Sequence, residues 1–132
     1  MIGLFSDIEP RWGGTILSGG SHRRTARVLA EHPRGLDHRT LFEVVLADPL
    51  GDFVEVTGRA GDVVLAHPFM FHARGFKHAG PPRVISNTET GLREPMRVGP
   101  GNGHDLAPVE IAIRRALEEP LPAQRGLQRC RF

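Results

Sequence analysis

The chain contains one cysteine, Cys130, in 132 residues. That excludes an intramolecular disulfide and any zinc or iron–sulfur site built on several thiolates. Its uninterrupted apolar runs are only a few residues long, far short of what a membrane-spanning helix needs. No charged, then apolar, then small-residue leader opens the sequence, so a cytoplasmic location is expected. Lysine is nearly missing: Lys77 is the single lysine among 17 basic residues, and the formal net charge is +2. The positive charge concentrates locally at Arg125, Arg129 and Arg131, beside one aromatic, Phe132. A nucleic-acid surface needs a basic face interleaved with stacking aromatics. Neither nucleic acid nor membrane is therefore an expected partner.

What is present is enough for one domain. Hydrophobic residues at 39% and charged residues at 24% set the chain apart from disordered segments. Gly 16 and Pro 11 imply many turns and favour a β-rich architecture over a helical bundle. Strands are expected near residues 2–8, 15–17, 53–57, 62–66 and 83–88, where β-branched and apolar residues lie between Gly and Pro breakers. The apolar stretch Val63-Val64-Leu65-Ala66 reads as a buried strand. Ser21 is the expected N-cap of a helix running to residue 31, and a second helix is expected over 39–47. Val109, Ala112, Ile113, Ala116 and Leu117 recur with helical period between Pro108 and Pro120. That pattern predicts an amphipathic helix over 108–117 packed against a sheet.

Seven histidines are the main chemical resource. His32, His38 and His104 flank or occupy Pro/Gly loops and read as surface residues, while His67, before Pro68, reads as a satisfied structural histidine. His72 differs because Arg83 follows eleven positions later, across a Gly/Pro-rich loop. A neutral imidazole is a good Fe(II) ligand, and an arginine can hold the far carboxylate of a dicarboxylate co-substrate by a bidentate contact. By spacing alone this pairing is weak.

The wider wording is more specific. Gly61-Asp62-Val63-Val64-Leu65-Ala66-His67-Pro68-Phe69-Met70-Phe71-His72-Ala73, followed by Arg83-Val84-Ile85-Ser86-Asn87, resembles the C-terminal half of the phytanoyl-CoA dioxygenase family. Phe5-Ser6-Asp7-Ile8, the stretch from Gly13 through Arg23, Leu92 through Met96 and the last helix are similar to that family too. The resemblance implies an α+β, β-rich fold: a partial double-stranded β-helix (jelly roll, cupin-like) with peripheral helices. Residues 1–120 would be the C-terminal portion of a dioxygenase domain, and 121–132 a basic tail. It further implies Fe(II) and 2-oxoglutarate chemistry on a small-molecule substrate, ascorbate as an accessory reductant, His72 as the distal iron ligand and Arg83 as the 2-oxoglutarate ligand. The two side chains are expected on adjacent strands facing one concavity.

One departure from the family is plain. Its iron is held by a facial triad in which a His-x-Asp or His-x-Glu pair supplies two ligands. The residues two positions after the seven histidines are Arg24, Arg34, Thr40, Phe69, Arg74, Gly80 and Leu106, and none is a carboxylate. The expectation is a dioxygenase domain truncated ahead of residue 2, nearly inactive alone, with Asp7 and Glu9 as solvated turn residues rather than substitute ligands. The alternative is a catalytically inactive jelly-roll remnant acting as a binding or interaction module. In either case unpaired strand edges invite self-association.

Overall fold

The computed structural model describes residues 1–48, 50–89, 91, 93–96 and 106–119. Three extended runs carry six short strands. Residues 1–18 form β1 (Ile2–Leu4) and β2 (Thr15–Ser18); residues 53–64 form β3 (Phe53–Glu55) and β4 (Val63–Val64); residues 71–88 form β5 (His72–Arg74) and β6 (Ile85–Asn87). Helices α1 (Ser21–Glu31) and α2 (His38–Leu46) separate the first two runs, and α3 (Pro108–Glu118) follows the third. The class is α+β, with two three-stranded sheets ordered β4-β1-β6 and β3-β2-β5, every pairing antiparallel.

The first run lies in the middle of both sheets, which is why β1 and β2 are the best buried of the strands. Ile2, Leu4, Ile8 and Val56 form a core with Trp12, Leu17, Val64 and Ile85 packed around them. Between β1 and β2 the chain turns a corner at 9–14, and Glu55 holds it. The Glu55 carboxylate accepts the backbone N–H groups of Arg11 (2.7 Å), Gly13 (3.1 Å) and Gly14 (2.8 Å), satisfying donors that the turn removes from any ladder. Backbones also crowd there. A Cβ on Gly14 would collide with the Val56 carbonyl, and one on Gly75 with the Gly14 carbonyl.

The helices build a separate core. Ala26 of α1 packs on Ile113 and Ala116 of α3, with Phe69, Met96, Val109 and Leu117 around them. Arg27 donates to the Ala116 carbonyl (2.9 and 3.1 Å) and to the Glu119 carbonyl, so a cation meets the carbonyl end of α3. Phe42 of α2 packs on Phe71 at 4.9 Å between ring centroids, tying α2 to the start of β5.

Several expectations need correction. The last helix is where periodicity and Pro108 put it, but it packs on α1 rather than on a sheet, because the small side chains Ala26 and Ala116 allow close approach. The run 63–66 is not a buried strand: β4 has two residues on a sheet edge, with Val63 exposed and Leu65 82% exposed. Ser21 is not a cap. Gly20, in the left-handed region, takes the N-cap position, and the Ser21 hydroxyl donates to the Ser18 carbonyl while accepting from Phe71 N–H. Helix α2 starts one residue earlier than expected, capped by the Asp37 carboxylate on Thr40 N–H. His104, Cys130 and the basic tail lie outside the described residues.

Candidate functional site

His72 opens β5, an edge strand whose three residues are all exposed. Its Nδ1 lies 3.2 Å from the Met70 carbonyl, which can only accept, so Nδ1 carries the proton and Nε2 presents a lone pair. A backbone carbonyl behind one ring nitrogen is the usual support for a metal-ligating imidazole. Arg83 lies two residues before β6 and is half-buried. Its Nη1 is buried without a hydrogen-bond acceptor among the described residues. A buried unsatisfied N–H costs on the order of 1–3 kcal/mol, more on a charged group, and an incoming carboxylate would remove that cost.

These two residues are not on adjacent strands. β5 belongs to one sheet and β6 to the other, so the expected side-by-side placement fails. The connection 75–84 crosses from sheet to sheet, and neighbouring strands in sequence need not be neighbours in a ladder. The fit of the implied groups divides accordingly. Arg83 suits a carboxylate. For iron the described residues offer the His72 imidazole but no converging set of three His, Cys, Asp or Glu side chains. The position two beyond His72 holds the cation Arg74. The residues described do not make an iron centre. Asp7 is an exposed turn residue, as expected, with its carboxylate accepting Ala60 N–H at 2.8 Å.

Sequence reasoning missed a pair of histidines. His22 on α1 and His67 lie with ring centroids 5.1 Å apart, and Phe69 packs against His67 at 5.4 Å. His67 Nδ1 accepts Phe69 N–H at 3.1 Å, leaving Nε2–H to face the Val109 carbonyl across 3.5 Å. It is a structural histidine, as its place before Pro68 suggested. His22 Nδ1 is buried with no hydrogen-bond partner among the described residues. A pocket of about 260 Å³ beside it is lined by Arg23, Arg115 and Glu119 among others, and His72 and Arg83 do not reach it. No sequence signal marked this pair, since the two residues are far apart in the chain.

Burial, then the proximity of His67 and Arg23, holds the His22 imidazole below the ordinary value of 6.5. Burial likewise lowers His67, opposed by its contact with the Val109 carbonyl. Both groups bind protons more weakly folded than unfolded. Their contribution is therefore complete above the unfolded value of 6.5 and falls as pH drops through the folded values. Thermal melts taken from about pH 7 to about pH 5 should show stability falling with acid, and His22→Gln should flatten that slope. A wild-type slope unchanged in His22→Gln and in His67→Gln would refute the assignment.

Compared with protein-family models, curated proteins and solved structures, the chain matches none. Its class therefore rests on its own geometry: α+β, with two small antiparallel sheets and three helices among the described residues.

Proposed function

We propose that this chain is the co-substrate-binding part of a dioxygenase-type jelly roll, with Arg83 holding a 2-oxoglutarate-like dicarboxylate and His72 poised as a single iron ligand. The observation that carries the reading is the buried, acceptor-less Nη1 of Arg83. Two further features support it. The Met70 carbonyl leaves His72 Nε2 as the free nitrogen. Two antiparallel three-stranded sheets ordered β4-β1-β6 and β3-β2-β5 support a partial double-sheet jelly roll. Without a His-x-Asp or His-x-Glu pair the chain holds iron weakly, because affinity follows ligand number and geometry. It binds the dicarboxylate but does not turn it over alone.

Calorimetry with 2-oxoglutarate, and succinate release with Fe(II) and ascorbate present, test both halves. Binding should be measurable, weakened about tenfold or more by Arg83→Ala and unaffected by His72→Ala in the absence of metal. Succinate release should stay at background. Absence of 2-oxoglutarate binding, or binding indifferent to Arg83→Ala, refutes the co-substrate assignment. Robust turnover abolished by His72→Ala refutes the inactivity of the isolated chain.

A further inference from the structure

Among the described residues, β5 and β6 in the run 71–88 pair along one side, and no strand pairs with them along the other. On its paired side the register never slips: Ile2 faces Asn87, Leu4 faces Ile85, Trp12 faces Lys77, Thr15 faces Arg74 and Leu17 faces His72. Each step along the first run is matched by one step back along the third. Against β3 and β4, by contrast, the register shifts at the 9–14 corner, where Ile8 faces Gly58 but Ile16 faces Glu55. β5 and β6 thus keep one register against residues 1–18 on either side of the connection 75–84, and among the described residues each ends its sheet.

The open side presents backbone groups at known positions. Ser18 N–H donates to the Phe71 carbonyl and Gly75 N–H to the Gly14 carbonyl, so alternation turns the N–H and C=O of His72 and Arg74 away from β2. Phe5 N–H donates to the Val84 carbonyl and Thr88 N–H to the Met1 carbonyl, which turns Ile85 and Asn87 away from β1. The charge on this run is of one sign. Arg74, Lys77 and Arg83 lie on it with His72 and His78, and residues 71–88 include no Asp or Glu. Among the described residues no carboxylate pairs with Arg74 or Lys77.

We propose that the open edge of 71–88 is a docking edge for an extended acidic segment of a second polypeptide, added as one more antiparallel run across both sheets. Main-chain bonds would supply the binding and the unpaired cations the selection. A second copy of this chain is a poor occupant. Edge-to-edge pairing of two 71–88 runs would gather their cations on one seam. The opposite edge is also spoken for: Glu55 is held by the 9–14 corner and Asp62 by Arg59 N–H.

Two synthetic peptides of about sixteen residues, long enough at roughly 3.3 Å per residue to follow the run, serve as probes. One alternates valine with glutamate and the other valine with lysine, each with a central Gly-Pro for the bend. By amide NMR the glutamate peptide should bind, slow exchange at His72, Arg74, Ile85 and Asn87, and weaken as salt rises. Asn87→Pro removes one outward N–H without touching the internal ladder and should weaken binding about tenfold. The double variant Arg74→Glu/Lys77→Glu, with the edge backbone intact, should prefer the lysine peptide. The proposal is overturned if the glutamate peptide fails to bind or both peptides bind wild type equally. It is equally overturned if the four amides are already protected in a dimer of the unliganded chain, which would make a second copy the occupant.

Discussion

Replacing Glu55 by alanine should destabilise the protein by about 3 kcal/mol, the largest loss expected from a single partly buried polar side chain here. The carboxylate is the acceptor for three backbone N–H groups at the 9–14 corner, those of Arg11, Gly13 and Gly14. Hydrogen bonds to a charged acceptor are worth roughly 1.5–3 kcal/mol each, and water reaching the exposed Arg11 recovers part of the total. The melting temperature should fall by about 10 °C or more. Glu55→Gln, which keeps one carbonyl oxygen, should lose roughly half as much. Indistinguishable melts for wild type and Glu55→Ala would mean that the corner is held by the crowding of Gly14 and Gly75 instead. The consequence would extend beyond stability. This corner joins β1 to β2, and with them the sheet that carries His72 to the sheet whose strand β6 Arg83 precedes.

Ile113→Ala should cost about 2–5 kcal/mol in urea denaturation, and Ile113→Val about 0.5–1.5 kcal/mol. Ile113 is 1% exposed and packs between Ala26 and Ala116, whose short side chains cannot move to refill the space. The cavity would open between α1 and α3, away from the sheet core of Ile2, Leu4, Ile8 and Val56. Amide exchange should therefore accelerate most in α1 and α3. Uniform acceleration across β1 and β2 would show instead that the two cores melt as one unit.

The helices were readable because their signals are local. Periodic apolar positions and Pro108 located α3, and Ser21 with the breakers Pro33 and Gly35 located α1, although its N-cap is Gly20 rather than Ser21. Strand positions were readable from β-branched residues for five of the six strands; β5 was missed because His72-Ala73-Arg74 has no apolar alternation. It is a strand because β2 pairs with it, not because its own residues prefer to be one. In the candidate site, the chemical types at His72 and Arg83 were legible through the resemblance. Their separation into two sheets was not, and neither was the acceptor-less Nη1 of Arg83.

By itself, then, the sequence determined composition-level and local properties: an α+β class rich in turns, helix periods, the lack of a His-x-carboxylate pair, and a cation-only stretch at 71–88. These depend on neighbours a few residues apart, where spacing and side-chain chemistry act directly. Only the tertiary structure decided that α3 rests on α1, that His22 meets His67, that Glu55 anchors the distant 9–14 corner, and that β5 and β6 keep one register against residues 1–18. Those outcomes depend on register and on which surfaces bury each other. A one-residue slip of pairing would turn every side chain to the opposite face, and no local pattern specifies which of the compatible pairings the whole chain will adopt.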